Sequence, residues 1–119
     1  IQNGCENDDP IVDPDVIRGL TDTMGDEFSI LVMHYIESLP HFAHDIGQAL
    51  EQKQWKTMSD LAHTLKSSSA SLGAMRLRFI AESIEKYEEK GLSPDEISSC
   101  YRNLLKHLPA TKNELEKLI

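Results

Sequence analysis

The chain is organised around the stretch Leu61-Ala62-His63-Thr64-Leu65-Lys66-Ser67-Ser68-Ser69-Ala70-Ser71-Leu72-Gly73-Ala74. At the roughly 100° per residue of an α-helix, most of its apolar side chains fall within one arc. The opposite side of the same helix carries His63 together with short or charged side chains, namely Lys56, Ser59, Asp60, Lys66, Ser67 and Ala70. The spacing therefore predicts a helix that buries one face and presents an imidazole to water.

Two side chains on this outer face carry chemistry. An exposed histidine is partly neutral at physiological pH, so His63 offers a nucleophilic lone pair on Nε2 without a separate base. Lys66 lies one turn further on the same face, where its ammonium reaches an anion attached to His63. The pair favours a phosphoryl group carried on the imidazole. The simpler interpretation of the spacing alone is a solvated histidine beside a solvated lysine.

Small side chains surround the predicted site. Ser67 and Ala70 place little bulk beside His63, so another protein surface can approach the helix closely. The residues predicted to form this partner-docking face are Ser59, Ser67, Ala70, Gly73 and Ala74.

The string from Ala62 to Ala74 closely resembles the signature of histidine-containing phosphotransfer (HPt) domains, the His-to-Asp phosphorelay modules of two-component signalling. In that family the pattern is approximately Ala-His-x-Leu-Lys-Gly-Ser-Ser-Ala-x-Leu-Gly-Ala. The resemblance implies that His63 is the phosphorylated histidine, that Lys66 stabilises the phosphoryl group and that Gly73 ends the helix. Ser67 departs from the glycine common at its position, and its hydroxymethyl group either narrows the approach or donates a hydrogen bond to the phosphoryl group.

The resemblance also implies a function. His63 accepts a phosphoryl group from the aspartyl phosphate of a receiver (response regulator) domain and passes it to the aspartate of another receiver. The receiver supplies Mg²⁺ and a lysine, so no cofactor and no metal ion are expected on this chain. The chain is expected to be a monomeric phosphotransfer domain without an ATP site of its own, of the kind found at the C-terminus of hybrid sensor histidine kinases. Its expected location is the cytoplasm, either free or tethered to a membrane-bound parent kinase.

Two alternatives place the function elsewhere. In the first, the chain is a structural helical module that docks or dimerises through its bundle surface, and His63 is incidental. In the second, His63 hydrolyses phosphate esters, but no metal cluster or paired acid supports that chemistry. His41, His44 and Asp45 lack a third and fourth ligand at helical spacing, so they are interpreted as surface residues rather than a metal site.

Composition limits the classes of protein that remain. The 119 residues fit one domain, and the net charge of -8 argues against nucleic-acid binding. No apolar run approaches the roughly 20 residues that span a bilayer, and no signal peptide is present, so no membrane contact is expected. The two cysteines, Cys5 and Cys100, define neither a disulfide framework nor a zinc spacing, which favours a reducing cytoplasm.

Periodicity predicts an all-α fold. Residues 1–10 form a polar, acidic leader, and residues 11–119 form the phosphotransfer domain. A short helix begins at Asp13-Pro14 and ends at Gly25, and the longest helix starts at Asp26 with a kink near Leu39, before Pro40. The remaining helices are predicted over roughly 55–72, over about 74–90, and after a capping box at 93–96, the last of them bent or split by a proline at 109. These elements predict an antiparallel up-down four-helix bundle capped by the short first helix.

Overall fold

The computed structural model describes residues 9–119, and every regular element in that range is an α-helix. The predicted leader lies mostly in residues 1–8, outside the described residues, so its boundary with the domain stays a prediction. The helices are α1 Pro14–Met24, α2 Glu27–Glu51, α3 Trp55–Ser71, α4 Met75–Glu85 and α5 Pro94–Glu116.

Helices α2, α3, α4 and α5 form a closed antiparallel bundle, which confirms the predicted fold class. Each of α2, α3, α4 and α5 packs against two of the others, so that α3 lies between α2 and α4. The short α1 packs on α2, and the backbone N–H of Asp13 donates to the carbonyl of Gly73 over 2.7 Å. The first helix is thereby tied to the end of α3.

The helix ends follow the local capping signals in the sequence. Asp13 caps α1 by accepting from the backbone N–H of Asp15 over 2.9 Å, and Pro14 occupies the first turn. Ser93 and Glu96 form the predicted reciprocal capping box at the start of α5, with hydrogen bonds of 3.0 and 3.2 Å. These contacts satisfy amide groups that have no partner within the helix.

The buried faces of the helices supply the core of the bundle. In α2 the fully or nearly buried residues are Phe28, Val32, Tyr35, Leu39, Ala43, Ile46 and Ala49. The polar pair inside this core is satisfied internally, because Tyr35 Oη lies 2.7 Å from Ser69 Oγ on α3. Burial strongly raises the pKa of Tyr35, and the hydrogen bond with Ser69 only partly offsets that effect, so the phenol stays neutral.

One prediction about the length of a helix is wrong. The helix after Gly73 ends at Glu85 rather than near Lys90, because the following turn folds back on α4. In that turn Lys90 Nζ donates to Ser83 Oγ over 2.9 Å and lies 4.8 Å from the centre of the Phe79 ring.

The proline at 109 was predicted to bend or split the last helix, and α5 is not split there, since it continues to Glu116. Pro109 lies on the exposed side of that helix, as Pro40 does in α2, so the backbone groups that lose their partner face solvent. Buried neighbours on the inner face, Leu39 in α2 and Thr111 in α5, hold both helices in place.

Cys100 lies fully buried in α5 and is disulfide-bonded, which the sequence pattern did not predict. The other cysteine of the chain, Cys5, lies outside the described residues. None of the helices within residues 9–119 has the length and apolar character required to cross a bilayer.

Candidate functional site

His63 stands on the outer face of α3, as the periodicity predicts. Its side chain is 59 % exposed, whereas Ala62 and Leu65 beside it are fully buried. The buried face of α3 packs between α2 and α4 and so fixes the direction in which the imidazole points. The ring is therefore accessible to a second protein.

The nearest polar partner of His63 comes from α4. Glu85 Oε2 lies 2.5 Å from His63 Nδ1. An ionised carboxylate has no proton to give, so Nδ1–H is the donor in this hydrogen bond. In the neutral ring the lone pair then belongs to Nε2, the nitrogen that Glu85 does not contact.

Lys66 completes a three-residue cluster. Its Nζ lies 2.7 Å from Glu85 Oε1, so the two carboxylate oxygens contact different side chains of α3. The Lys66 and Glu85 side chains are only 21 % and 17 % exposed, which makes this ion pair less screened than a typical surface pair. The predicted proximity of His63 and Lys66 is thus mediated by a carboxylate.

The environment of Glu85 determines its charge. Partial burial acts to raise the pKa of this carboxyl, but hydrogen bonds and favourable charge interactions with Lys66 and His63 outweigh it and hold the pKa below its usual value. Glu85 is therefore ionised at neutral pH and acts only as an acceptor.

Ser59 anchors Glu85 through the main chain. Because α4 ends at Glu85, the carbonyl of this residue is open to a partner from outside the helix, and Ser59 Oγ donates to it over 2.9 Å. Ser59 was predicted to be a small docking contact, but it is half-buried and its hydroxyl is used internally. Its observed place is between α3 and α4, beneath the cluster.

Two other residues predicted to lie on the docking face are buried. Ala74 is fully buried at the start of α4, and Gly73 is buried against α1. Gly73 does end α3 as the resemblance implied, with a φ of +74° just beyond the helix. The remaining two predictions are consistent with a surface role, since Ser67 is exposed and Ala70 is half-buried.

The charged residues around the cluster are paired among themselves. Lys56 lies 3.1 Å from Asp60 on α3. On α4, Glu82 lies 3.2 Å from Arg78 and 3.3 Å from Lys86. The observed ionic partner of Arg78 is therefore a neighbour on its own helix, Glu82.

Sequence reasoning missed Glu85. Helical spacing puts Glu82 and Glu85 on the same side of α4, and nothing within α4 indicates which of them meets α3. A signal existed only in the pairing of two helices, because antiparallel helices joined by a short link bring residues on both sides of the link together. The exact register depends on where α4 starts and ends, which the sequence did not fix.

Known proteins resemble this chain in both sequence and fold. The Hpt domain family matches residues 31–118, and the chain belongs to that family. A 62-residue segment is 42% identical to multistep phosphorelay regulator 1 of Schizosaccharomyces pombe (strain 972 / ATCC 24843). That segment is 51% of this chain and 21% of the relative, so the chain spans about a fifth of the length of the curated relative.

The fold is shared with a solved phosphotransfer protein. The crystal structure of histidine-containing phosphotransfer protein B (HptB) from Pseudomonas aeruginosa PAO1 superposes with a TM-score of 0.76 at 17% sequence identity. The superposition covers 91% of this chain and 93% of that chain. Family membership gives the chain a phosphotransfer role in two-component signalling, and it makes response-regulator receivers the class of partner that the family implies.

Proposed function

We propose that this chain is a phosphorelay intermediate in which His63 carries the phosphoryl group. The observation that carries the proposal is the state of the imidazole: the ring is 59 % exposed, and Nδ1 is already occupied by Glu85. Nε2 is thus the nitrogen that holds a lone pair. The aspartyl phosphate of a receiver is the donor, and the aspartate of a second receiver is the acceptor.

The transfer requires alignment and charge neutralisation more than covalent help. His63 Nε2 forms a bond to phosphorus while the bond from phosphorus to the receiver carboxylate oxygen breaks. Lys66 supplies a fixed positive charge within reach of the phosphoryl oxygens. Receivers are expected to bring Mg²⁺ and their own lysine, so the domain contributes the nucleophile, an ammonium group and a surface.

Docking of the receiver is proposed to use the exposed side of α3. Ser67 and Ala70 lie one and two turns beyond His63. Their small side chains leave the surface of α3 unobstructed, so that an aspartate in a recessed pocket of the receiver can reach the ring. The net charge of -8 disfavours general attraction to an acidic receiver pocket, so fit and local contacts matter more than long-range steering. A monomeric state and a cytoplasmic location, free or tethered to a parent kinase, belong to the same proposal.

The test is transfer of label from a receiver. The chain is incubated with a phosphorylated receiver and Mg²⁺, and acid-labile, alkali-stable label is measured on wild type and on His63→Gln. His44→Gln is the matched control, because it removes an exposed histidine from α2, a helix that contributes no residue to the cluster. Label is expected on wild type and on the control but not on His63→Gln.

Label retained by His63→Gln would show that another residue is phosphorylated. Absence of label from wild type would favour a structural docking module. Lys66→Ala is expected to fold and to transfer more slowly, with Lys56→Ala as its control on the same helix. Equal transfer rates for these two variants would remove Lys66 from the mechanism.

A further inference from the structure

Five hydroxyl side chains follow His63 along α3, and Ser67 differs from the other four. Ser69 is buried and shares a hydrogen bond of 2.7 Å with Tyr35 of α2. Three others donate to the carbonyl one turn earlier on α3, namely Thr64 to Asp60, Ser68 to Thr64 and Ser71 to Ser67, over 3.3, 3.1 and 3.0 Å. The Ser67 hydroxyl has no hydrogen-bond partner within residues 9–119, and the residue is exposed. Its donor is therefore open to a group from outside the fold.

Ser67 lies on the side of His63 that faces away from α4. At about 100° per residue, Lys66 is rotated roughly 60° from His63 around α3, and Ser67 roughly 40° in the opposite sense. The first direction points to α4, since Lys66 contacts Glu85 there. The second points towards α2, since Ser71, which is further round in the same sense, lines a cleft with residues of that helix. His63 thus has an ammonium group on one flank and a hydroxyl on the other.

The orientation of the His63 ring directs a phosphoryl group to the flank of Ser67. Nδ1 faces Glu85 at 2.5 Å. Nε2 lies on the opposite side of the ring, so its lone pair points away from Glu85. The Cα–Cβ bonds of a helix tilt towards its N-terminus, so the short Ser67 side chain leans back towards the turn that carries His63. Residues four apart have Cβ atoms about 5–6 Å apart, a gap short enough for an oxygen of a phosphoryl group on Nε2 to bridge.

We propose that the Ser67 hydroxyl donates a hydrogen bond to the phosphoryl group carried by His63. This inference rests on the proposed function of His63. The hydroxyl hydrogen rotates to suit its acceptor, and a contact with an anionic oxygen is short and charge-assisted. Lys66 stays on the α4 flank with Glu85, and Ser67 supplies a donor on the other flank. No covalent bond forms or breaks in making this contact.

Neighbouring groups on the same flank do not supply this donor. Asp60, one turn before His63, carries a carboxylate, which accepts hydrogen bonds and repels a phosphoryl group. The hydroxyls of Thr64 and Ser68 already donate within α3. Ser67 is thus the hydroxyl beside His63 whose donor is not used by the fold.

The contact acts on the phosphorylated state alone. Before transfer the Ser67 hydroxyl is hydrated, and after transfer it donates to a charged oxygen. It therefore stabilises phosphohistidine relative to the free ring and shifts the equilibrium with a receiver towards this chain. It also favours the more highly charged form of the phosphoryl group. The glycine that is common at this position in the family signature has no hydroxyl and cannot make the contact.

A ³¹P NMR titration tests the contact without a receiver. Wild type, Ser67→Ala and Ser71→Ala are phosphorylated with phosphoramidate, a small-molecule phosphoryl donor, and the phosphohistidine resonance is followed from pH 6 to 9. The phosphoryl group should titrate at a higher pH in Ser67→Ala than in wild type, because the donor that favours its charged form is gone. Ser71→Ala is the matched control. It removes an exposed serine hydroxyl that is already used within α3, so its curve should superimpose on that of wild type.

The equilibrium with a receiver gives the magnitude. Each variant is mixed with a phosphorylated receiver and Mg²⁺, and the equilibrium constant for transfer is measured once the label has stopped moving. Loss of one hydrogen bond should lower this constant about two- to tenfold in Ser67→Ala. Ser67→Gly should show the same loss, because it also lacks the hydroxyl, and Ser71→Ala should keep the wild-type value.

Superimposed titration curves for Ser67→Ala and wild type would overturn the proposal. Faster transfer by Ser67→Ala at an unchanged equilibrium constant would also overturn it, because that result assigns Ser67 to the approach of the receiver. A further fall of similar size from alanine to glycine would assign the effect to side-chain bulk instead. The titration decides the role of Ser67 even if receivers fail to label His63, a failure that would remove the proposed function alone.

Discussion

Replacing Gly73 with alanine should destabilise the fold and leave phosphotransfer by the folded protein unchanged. Gly73 has a φ of +74°, and a Cβ placed there would lie 2.9 Å from Val16 Cβ and 3.3 Å from the carbonyl oxygen of Asp13. The oxygen belongs to the backbone that starts α1, so a change of rotamer cannot remove this contact. Gly73 is therefore a joint between α3 and α1 rather than a docking residue.

The magnitude follows from two separate costs. A left-handed backbone costs a non-glycine residue about 1–2 kcal/mol. Overpacking a buried contact adds about 1–3 kcal/mol. Gly91 is the matched control, since its φ is +66° but nothing lies within 4 Å of its added Cβ. Gly73→Ala should thus lose more unfolding free energy than Gly91→Ala by about 1–3 kcal/mol, because effects on the unfolded chain are common to both.

The assay combines urea unfolding, followed by circular dichroism, with transfer rates measured where all variants are folded. Gly73 lies ten positions beyond His63 on or near α3, which is about 15 Å along the helix axis. Equal losses of stability in the two variants would refute the steric reasoning. A slower transfer by folded Gly73→Ala, with little loss of stability, would restore Gly73 to the docking face.

Three further substitutions test other parts of the structure. Gly47→Ala should destabilise the bundle by about 1–3 kcal/mol in urea unfolding, because its Cβ would collide with the Tyr101 ring and hydroxyl; unchanged stability would show that Tyr101 moves freely. Ser59→Ala should cost roughly 0.5–1.5 kcal/mol and slow phosphotransfer, and an unchanged rate would mean that Glu85 keeps its place without this hydrogen bond. Burial, and then nearby cations, lower the pKa of His107 below 6.5, so the folded protein disfavours its protonation and loses stability as pH falls below that value. His107→Gln should reduce the drop in unfolding free energy between pH 7 and 5, and a drop equal to that of wild type would place the acid sensitivity elsewhere.

The sequence predicted those parts of the site that depend on a single helix. The exposure of His63 and the nearness of Lys66 follow from the periodicity of α3, whose buried and exposed faces are set by local spacing. The helix starts at Pro14 and Pro94 were predictable for the same reason, because capping residues act within one turn.

Features that depend on the relation between helices could not be predicted in this way. Glu85 reaches His63 only because α4 ends early and packs on α3 in one register, and both facts depend on contacts distant in sequence. Ser59 and Ala74 look alike as small residues near the site. Ser59 caps a carbonyl of α4, and Ala74 lies in the core. Residue size alone therefore did not distinguish a surface residue from a residue packed between helices.

Lys66 and Glu85 should have opposite effects on the lifetime of phosphohistidine. A phosphoryl group brings a charge close to -2 beside the Glu85 carboxylate. Glu85 repels that charge and retains the ring proton that makes the imidazole a good leaving group, so both of its effects favour donation. Lys66 attracts the phosphoryl oxygens, and its ammonium has three donors, so it can keep the 2.7 Å contact with Glu85 while it binds them.

Lys66→Ala should therefore shorten the lifetime of phosphohistidine, and Glu85→Gln should lengthen it, when both are measured by ³¹P NMR at one alkaline pH. Changes in the same direction would mean that the two residues act only by holding each other in place.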